Sequence, residues 1–342
     1  MRISTEFKTA LQHKIDLKTK PLGALGDLES LAFKIGCIQN TKSPQITKPT
    51  IVIFAGDHGI AKMGEVNPFP QEVTSQMVYN FVNGGAAINV FSKTNDINLK
   101  IVDAGVNHQF ESDLEIVDAK IDFGTKNYQF EPAMTEAQYE EAIQKSGEIV
   151  HQIYNEGCNT IGFGEMGISN TSSASLLMAY FLKLPMEACV GSGTGLKEGG
   201  INKKVKILSE VFEKHNVNNT LEALSTFGGF EIVMLYGALL KAAELNMTIV
   251  IDGFIVTSAL LAAKTSNTTI LENCVFAHNS NEQGHKKMLE YLDVKPLLSL
   301  GLRLGEGTGA ALAIPLLKAA VNFLNDMASF ESAGVSGETE QG

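Results

Sequence analysis

The chain has 342 residues, 44% hydrophobic and 19% charged, with 32 Gly, 9 Pro and 4 Cys. That apolar share excludes a disordered chain, and no Gly-X-Y period or heptad run suggests collagen or coiled coil. A balance of 27 basic against 38 acidic residues gives −11, a sign that repels phosphate backbones and argues against a nucleic-acid partner.

Two helices are expected in the first 40 or so residues, where Leu22, Leu25, Leu28, Leu31 and Ile35 recur at helical spacing. From Thr50 short β-branched runs alternate with amphipathic stretches. Predicted strands are Thr50–Ala55, Leu99–Asp103, Thr160–Phe163, Glu187–Val190, Met247–Ile251 and Thr269–Phe276. Predicted helices are Gln71–Phe91, Glu136–Tyr154, Thr171–Leu182, Asn202–Lys214, Phe230–Leu245 and Ser280–Tyr291, with a last one over Ala311–Phe323. Thr135 with Gln138, and Ser280 with Gln283, fit capping boxes. The polar stretch Asn107–Met134 reads as an irregular excursion. Such alternation predicts an α/β fold, a Rossmann-like parallel sheet with helices on both faces.

The cysteines Cys37, Cys158, Cys189 and Cys274 are scattered, without a C-x-x-C pair, the pattern of buried free thiols in a reducing compartment. Residues 1–18 lack the apolar core of a signal peptide. The most apolar stretch, Met247–Ala263, contains Asp252 and falls short of a membrane span. A soluble cytoplasmic protein with no membrane partner is the expectation.

Strand, glycine loop and helix recur at Gly56, Gly162–Gly167, Gly191–Gly195, Gly253 and Gly305–Gly309. The carboxyl edge of a parallel sheet gathers such loops, and glycines there let backbone N–H groups approach an anion. Gly162-x-Gly164-x-x-Gly167 and Gly305-x-Gly307-x-x-Ala310 formally match a dinucleotide fingerprint. Each carries a glutamate, Glu165 or Glu306, where a pyrophosphate would pass, which is costly. These loops suit one phosphate, with carboxylates aimed at something basic.

Glu306 has a bland reading, an acid complementing a helix dipole. Hemmed between glycines, it can also reach a ligand and act as a general base, with the dipole expected to lower its pKa. His278, Glu282 and His285 hint at a metal face, but a helix starting at Ser280 would separate His278 from the others. Asp57-His58 is more often a loop hydrogen-bond network than a catalytic dyad. Lys203 and Lys204 begin a helix after a glycine loop; one can face a phosphate, or both be solvated. The chain has no P-loop, no nucleophile elbow and no Asp-Asp pair for Mg²⁺.

Seven collinear segments, FAGDHGIAKMGEVNPFPQEVTSQMV, GFGEMGISNT, GSGTGLKEGG, STFGGFEI, VIDGFIV, AHNSNEQGH and LRLGEGTGAALA, resemble the nicotinate-nucleotide–dimethylbenzimidazole phosphoribosyltransferase family. The likeness runs from about Pro21 to Ala320. It implies transfer of the phosphoribosyl group of nicotinate mononucleotide to 5,6-dimethylbenzimidazole, giving α-ribazole 5′-phosphate and nicotinate, without metal or redox cofactor. It implies Glu306 as general base and Glu165 as second carboxylate. Gly193, Thr194, Gly195, Lys204 and Ser280 would surround the phosphate, and Gly167, Asp252, Gly305 and Gly307 would line the substrate site. Phe69 and Met77 would line the base pocket. A homodimer is implied, with a large α/β domain over 40–320 and a small helical domain from 1–39 with 321–335; residues 336–342 read as a mobile tail. Ser192, Ser169, Asn279 and Gln283 depart from the family pattern. Rival readings are a non-catalytic nucleotide sensor, a nicotinamide-dependent oxidoreductase, and the same transfer to another planar base.

Overall fold

A computed structural model describes residues 3–191, 193 and 195–336. Six strands form one sheet: β1 (Thr50–Gly56), β2 (Asn98–Gly105), β3 (Val117–Asp118), β4 (Thr160–Met166), β5 (Thr248–Ile251) and β6 (Cys274–Phe276). Their order is β3-β2-β1-β4-β5-β6, and every neighbouring pair is parallel. The central strand β1 is buried along its whole length, as a strand covered on both faces must be.

Alternate residues of each strand enter opposite cores. Val52 and Phe54 of β1, with Ile161 and Phe163 of β4, face one hydrophobic cluster, while Ile51, Ile53 and Ala55 face the other. The first cluster is closed by α5 (Glu136–Asn155), α6 (Asn170–Leu182), α7 (Met186–Cys189), α8 (Glu198–Lys214), α9 (Thr220–Phe227), α10 (Phe230–Glu244), α11 (Phe254–Ser266) and α12 (His285–Leu292). The second is closed by α1 (Thr5–Asp16), α2 (Asp27–Ile38), α3 (Val73–Val82), α4 (Ala87–Thr94) and α13 (Thr308–Asp326). A last short helix, α14 (Phe330–Ala333), follows. The chain ends meet where Lys18 bridges Ser329 and the Thr19 N–H donates to the Ala328 carbonyl. Residues 337–342, most of the expected tail, lie outside the described residues.

Several local expectations are corrected. Glu187–Val190 is not a strand: Pro185 caps the short helix α7 there. The predicted helix Gln71–Phe91 splits in two, because Gly84 takes φ 75° and the Asn83-Gly84-Gly85 turn ends α3. Only Cys274–Phe276 of the run from Thr269 is strand. The Asn107–Met134 excursion contains the edge strand β3, two residues long and too short to register as alternation. Ser280 caps no helix. Its Oγ accepts from the Glu282 N–H, and α12 starts later, after Gly284. The Thr135–Gln138 capping box is formed as read. Helix α13 is long and apolar enough to cross a membrane by length and composition, yet Ala313, Leu317 and Leu324 are buried in the second core.

The Gly305 loop does not follow a strand directly. It returns from beyond β6 to lie against β4 at Gly164. A Cβ built on Gly164 would overlap the carbonyl carbon of Glu306. Both partners are backbone, so neither can swing away. Gly164→Ala is expected to destabilise the fold by about 1–3 kcal/mol through overpacking, read as a lowered midpoint in urea unfolding with an unchanged slope; a wild-type midpoint would refute the contact.

Candidate active site

The strand order reverses between β1 and β4, one connection leaving toward β2 and the other toward β5. In open α/β sheets the crevice outside the carboxyl ends of two such strands is where ligands bind. Here β1 ends in Gly56-Asp57-His58 and β4 in Glu165-Met166-Gly167. Asp252 follows β5, and the loop over 305–307 closes the group from above.

Glu165 stands opposite Phe54 in the β1–β4 register and is buried. Its Oε2 accepts from Asn170 Nδ2 in the first turn of α6. Burial pushes its pKa up to about 8, aided by the charges of Asp252, Glu231 and Glu306, with the Asn170 hydrogen bond opposing. Glu306 has left-handed backbone at φ 62°, between Gly305 at 86° and Gly307 at 82°. Left-handed backbone is unusual for a residue with a Cβ, and it turns the side chain inward. Its Oε2 is buried with no partner among the described residues. Burial raises Glu306 to about 7, against a backbone N–H from Ile88. The expectation of a dipole-lowered Glu306 is therefore reversed, because desolvation outweighs the dipole. Asp252 takes the dipole's place, its Oδ1 accepting the Ala310 N–H at 3.0 Å in the first turn of α13. Burial raises it to about 7, opposed by the N–H groups of Ala310, Gly309 and Gly307.

Cations gather on the other side of the crevice. Lys204, in α8, is fully buried with Nζ 2.9 Å from Thr171 Oγ1. Burial lowers it to about 8, with Glu282 opposing. Arg303 donates to the Gly193 carbonyl at 3.2 Å. A Cβ on Gly193 would stand 3.7 Å from Lys204 Nζ. Both cations face the buried carboxyl of Glu282, which also accepts from the Gly193 N–H, so a phosphate there would compete with that carboxyl for them.

Comparison with known proteins decides the family. A family model described as phosphoribosyltransferase matches residues 1–335. A nicotinate-nucleotide–dimethylbenzimidazole phosphoribosyltransferase of Dechloromonas aromatica is 54% identical over 334 residues, 96% of each chain. Its counterpart in Aromatoleum aromaticum is 53% identical over 327 residues, 95% of each chain. The chain belongs to this phosphoribosyltransferase family. The crystal structure of CobT from Thermus thermophilus superposes with a TM-score of 0.93 at 39% identity, covering 97% of this chain and 100% of that one.

The structure gathers Glu165, Asp252, Glu306, Gly305 and Gly307 at the crevice. A Cβ on Gly305 would overlap Glu165 Oε1, so loop and strand end are in direct contact. Gly167 packs on the Gly56 carbonyl across the two strand ends. Gly193 and Lys204 come together, and Gly195 lies in open space at φ 120°. Thr194 and Ser192 lie outside the described residues. Ser280 is buried, with its N–H on His285 Nδ1 at 2.9 Å. Phe69 is 45% exposed on a loop tied to the β4 end, where Asn67 Nδ2 donates to Ser169 Oγ at 2.5 Å. Ser169, one of the departures, holds φ 81°, a backbone shape that glycine takes without strain. Met77 is half-buried against the second core.

Sequence reasoning missed Arg303, Thr171 and Asn170 as neighbours of these groups. Arg303 sits inside a motif already noted, LRLGEGTG, and is the only arginine besides Arg2. Asp57 and His58 form hydrogen-bond networks, as expected, and not a dyad: Asp57 Oδ2 accepts the Asn107 N–H at 2.8 Å, and His58 pairs with Glu231 at 2.6 Å. His278 and His285 share no metal face: His278 lies 3.8 Å from Asp252, and His285 bonds Thr257 at 3.0 Å. Among the described residues no grouping of His, Cys, Asp or Glu has metal-holding geometry.

Raised carboxyl pKa values make the fold pH-sensitive. Between the ordinary values of 4.5 for Glu and 3.8 for Asp and the folded values of about 7–8, the folded state binds more protons than the unfolded. The stability these groups contribute is therefore full below about pH 4 and falls as pH rises toward 8. Glu165→Gln is expected to raise the melting temperature at pH 8 by more than at pH 5, as read by thermal unfolding; equal shifts at both would refute the assignment.

Proposed function

We propose that the protein transfers the phosphoribosyl group of nicotinate mononucleotide to 5,6-dimethylbenzimidazole, with Glu306 as general base and Glu165 beside the reacting carbon. The observation that carries this reading is the buried, unpartnered Oε2 of Glu306. Its folded pKa of about 7 matches the range in which a general base works best.

One ring nitrogen of the benzimidazole attacks C1′, and the bond from C1′ to the pyridinium nitrogen breaks. The bonding pair leaves with nicotinate, whose ring nitrogen becomes neutral, so no general acid is needed. The proton on the acceptor's other nitrogen passes to Glu306. Glu165 gives its proton to solvent as the cationic nucleotide enters, and the resulting charge stabilises the oxocarbenium-like centre. Holding the two rings on opposite sides of the ribose supplies proximity and inverts C1′ from β to α.

Lys204 and Arg303, with Gly193 and Gly195, take the phosphate, with Ser280 beside them; Thr194, expected there too, lies outside the described residues. Gly167 and Asp252 complete the wall behind the ribose, Asp252 by fixing the start of α13. Phe69 and Met77 line the base side, the exposed loop of Phe69 being able to fold over a flat ring. The reading extends to a homodimer acting in the cytoplasm. Four unpaired cysteines fit a reducing compartment. It also includes a small helical unit from 1–39 and 321–335 beside the 40–320 body, supported by the pairing of Lys18 with Ser329.

Incubation with nicotinate mononucleotide and dimethylbenzimidazole, without added metal, is expected to release nicotinate and form a riboside phosphate, resolved by chromatography. Glu306→Gln is expected to cut turnover by about 10²–10⁴-fold, with nucleotide affinity retained. Near-normal turnover in that variant would sink the reading.

A further inference from the structure

The turn that carries Ser280 is held by a series of buried hydrogen bonds running to the carboxyl end of β5. Ser280, Thr257 and His285 are all buried. The Ser280 N–H donates to His285 Nδ1 at 2.9 Å, and His285 Nε2 lies 3.0 Å from Thr257 Oγ1. Thr257, in the first turn of α11, donates its hydroxyl proton to the Gly253 carbonyl at 2.7 Å. Gly253 directly follows Asp252.

Donor counting fixes the proton arrangement. Nδ1 faces a backbone N–H, so it accepts and carries no proton. The one N–H of a neutral imidazole then sits on Nε2. Thr257 Oγ1 accepts it while giving its own proton to Gly253. No link in the series carries a charge. A protonated His285 would set Nδ1–H against the Ser280 N–H. Burial acts in the same sense, holding the imidazole down at about 3, with the charge of His278 adding to it.

His285 reaches this place because of Gly284. A Cβ on Gly284 would come within 2.7 Å of Met178 Sδ and 2.8 Å of Phe254 Cε2. That close approach starts α12 against α6 and α11, with the buried His285 as its first residue. The turn at 280 in its own right touches two walls of the crevice. A Cβ on Gly253 would stand 3.7 Å from Ser280 Cβ, and one on Gly191 would overlap Glu282 Oε2. Ser280 Oγ accepts the Glu282 N–H at 3.3 Å, which leaves its one proton to donate.

We propose that His285 is a positioning residue for the nucleotide phosphate: by accepting the Ser280 N–H and donating to Thr257, it locks the turn at 280 to the β5 edge, so that the Ser280 hydroxyl is in place before the phosphate arrives. The inference rests on the role proposed above for Ser280. An acceptor held rigidly opposite a backbone N–H fixes that peptide plane. Without it, the turn must be ordered when the nucleotide binds, and ordering costs affinity. The loss falls on the nucleotide and spares both the acceptor base and the chemistry at C1′.

The test is steady-state kinetics with both substrates in the wild type, His285→Asn, His285→Gln, Ser280→Ala and the His285→Gln/Ser280→Ala pair. The two amides divide the imidazole between them. Asn Oδ1 falls where Nδ1 stood and can accept from Ser280, whereas Gln Nε2 falls where Nε2 stood and can reach only Thr257. His285→Gln is expected to raise KM for nicotinate mononucleotide by about tenfold, the scale of one hydrogen bond to a charged group, while kcat and the KM for dimethylbenzimidazole move far less. His285→Asn is expected to stay near the wild-type KM. The pair is expected to be no weaker than Ser280→Ala alone. Equal losses in the Asn and Gln variants, or a loss shared by both substrates, would mark a packing role and overturn the proposal. A wild-type KM in His285→Gln, with Ser280→Ala still impaired, overturns this proposal alone. A wild-type KM in Ser280→Ala overturns the role of Ser280 and this proposal with it. Should His285→Gln fail to fold, Thr257→Val removes the acceptor of Nε2–H at nearly constant volume. A several-fold rise in KM for the nucleotide is expected there, and an unmoved KM overturns the proposal.

Discussion

Gly164 has no side chain, and the loop carrying Glu306 rests directly on its backbone. Three consecutive left-handed residues, Gly305, Glu306 and Gly307, shape that loop. Two of them are glycines and tolerate it; the third is not, and its conformation is imposed by the close packing around it. This contact sets the height of Glu306 above the β4 end and brings Gly305 onto Glu165. It also starts α13 where Asp252 can accept the Ala310 N–H in its first turn. Three features of the site therefore descend from one backbone-on-backbone approach.

Electrostatics follows from the same closeness. Three acidic groups, Glu165, Asp252 and Glu306, are buried within reach of one another, and each is pushed above its ordinary value chiefly by burial. A ligand carrying positive charge would find the reverse condition in this pocket, since its arrival offsets the mutual repulsion. The cations Lys204 and Arg303 stand apart, beside the Gly193 turn. The site is thus polarised, acidic beneath the proposed ring and basic beneath the proposed phosphate, which matches a nucleotide whose ring is cationic and whose tail is anionic.

Much of this was legible in the chain. Strand β1 and helices α5 and α10 were marked by long, unbroken patterns, and the glycine loops announced the carboxyl edge. What escaped detection was short or set by tertiary contact. Strand β3 has two residues and no period to read. Glu187–Val190 has the composition of a strand but follows Pro185, which opens a helical turn. Glu231 lies 173 positions from His58, so no local spacing could pair them. The dipole argument for Glu306 failed because sequence shows which helix a residue precedes and not how deeply it is buried.

The protons kept by the acidic cluster have a further effect, on inorganic ions. Three ionised carboxylates in one crevice would make an attractive trap for Mg²⁺ or Ca²⁺, both abundant and both partial to carboxylate oxygen. Near neutral pH, Glu165 presents a hydroxyl in place of a charge, and Asp252 is occupied by backbone N–H groups. A divalent ion would have to expel protons and shed water to enter, whereas a flat organic cation brings its own apolar surface to the buried walls. Burial would thus favour delocalised charge on a ring over compact, hydrated charge in this crevice.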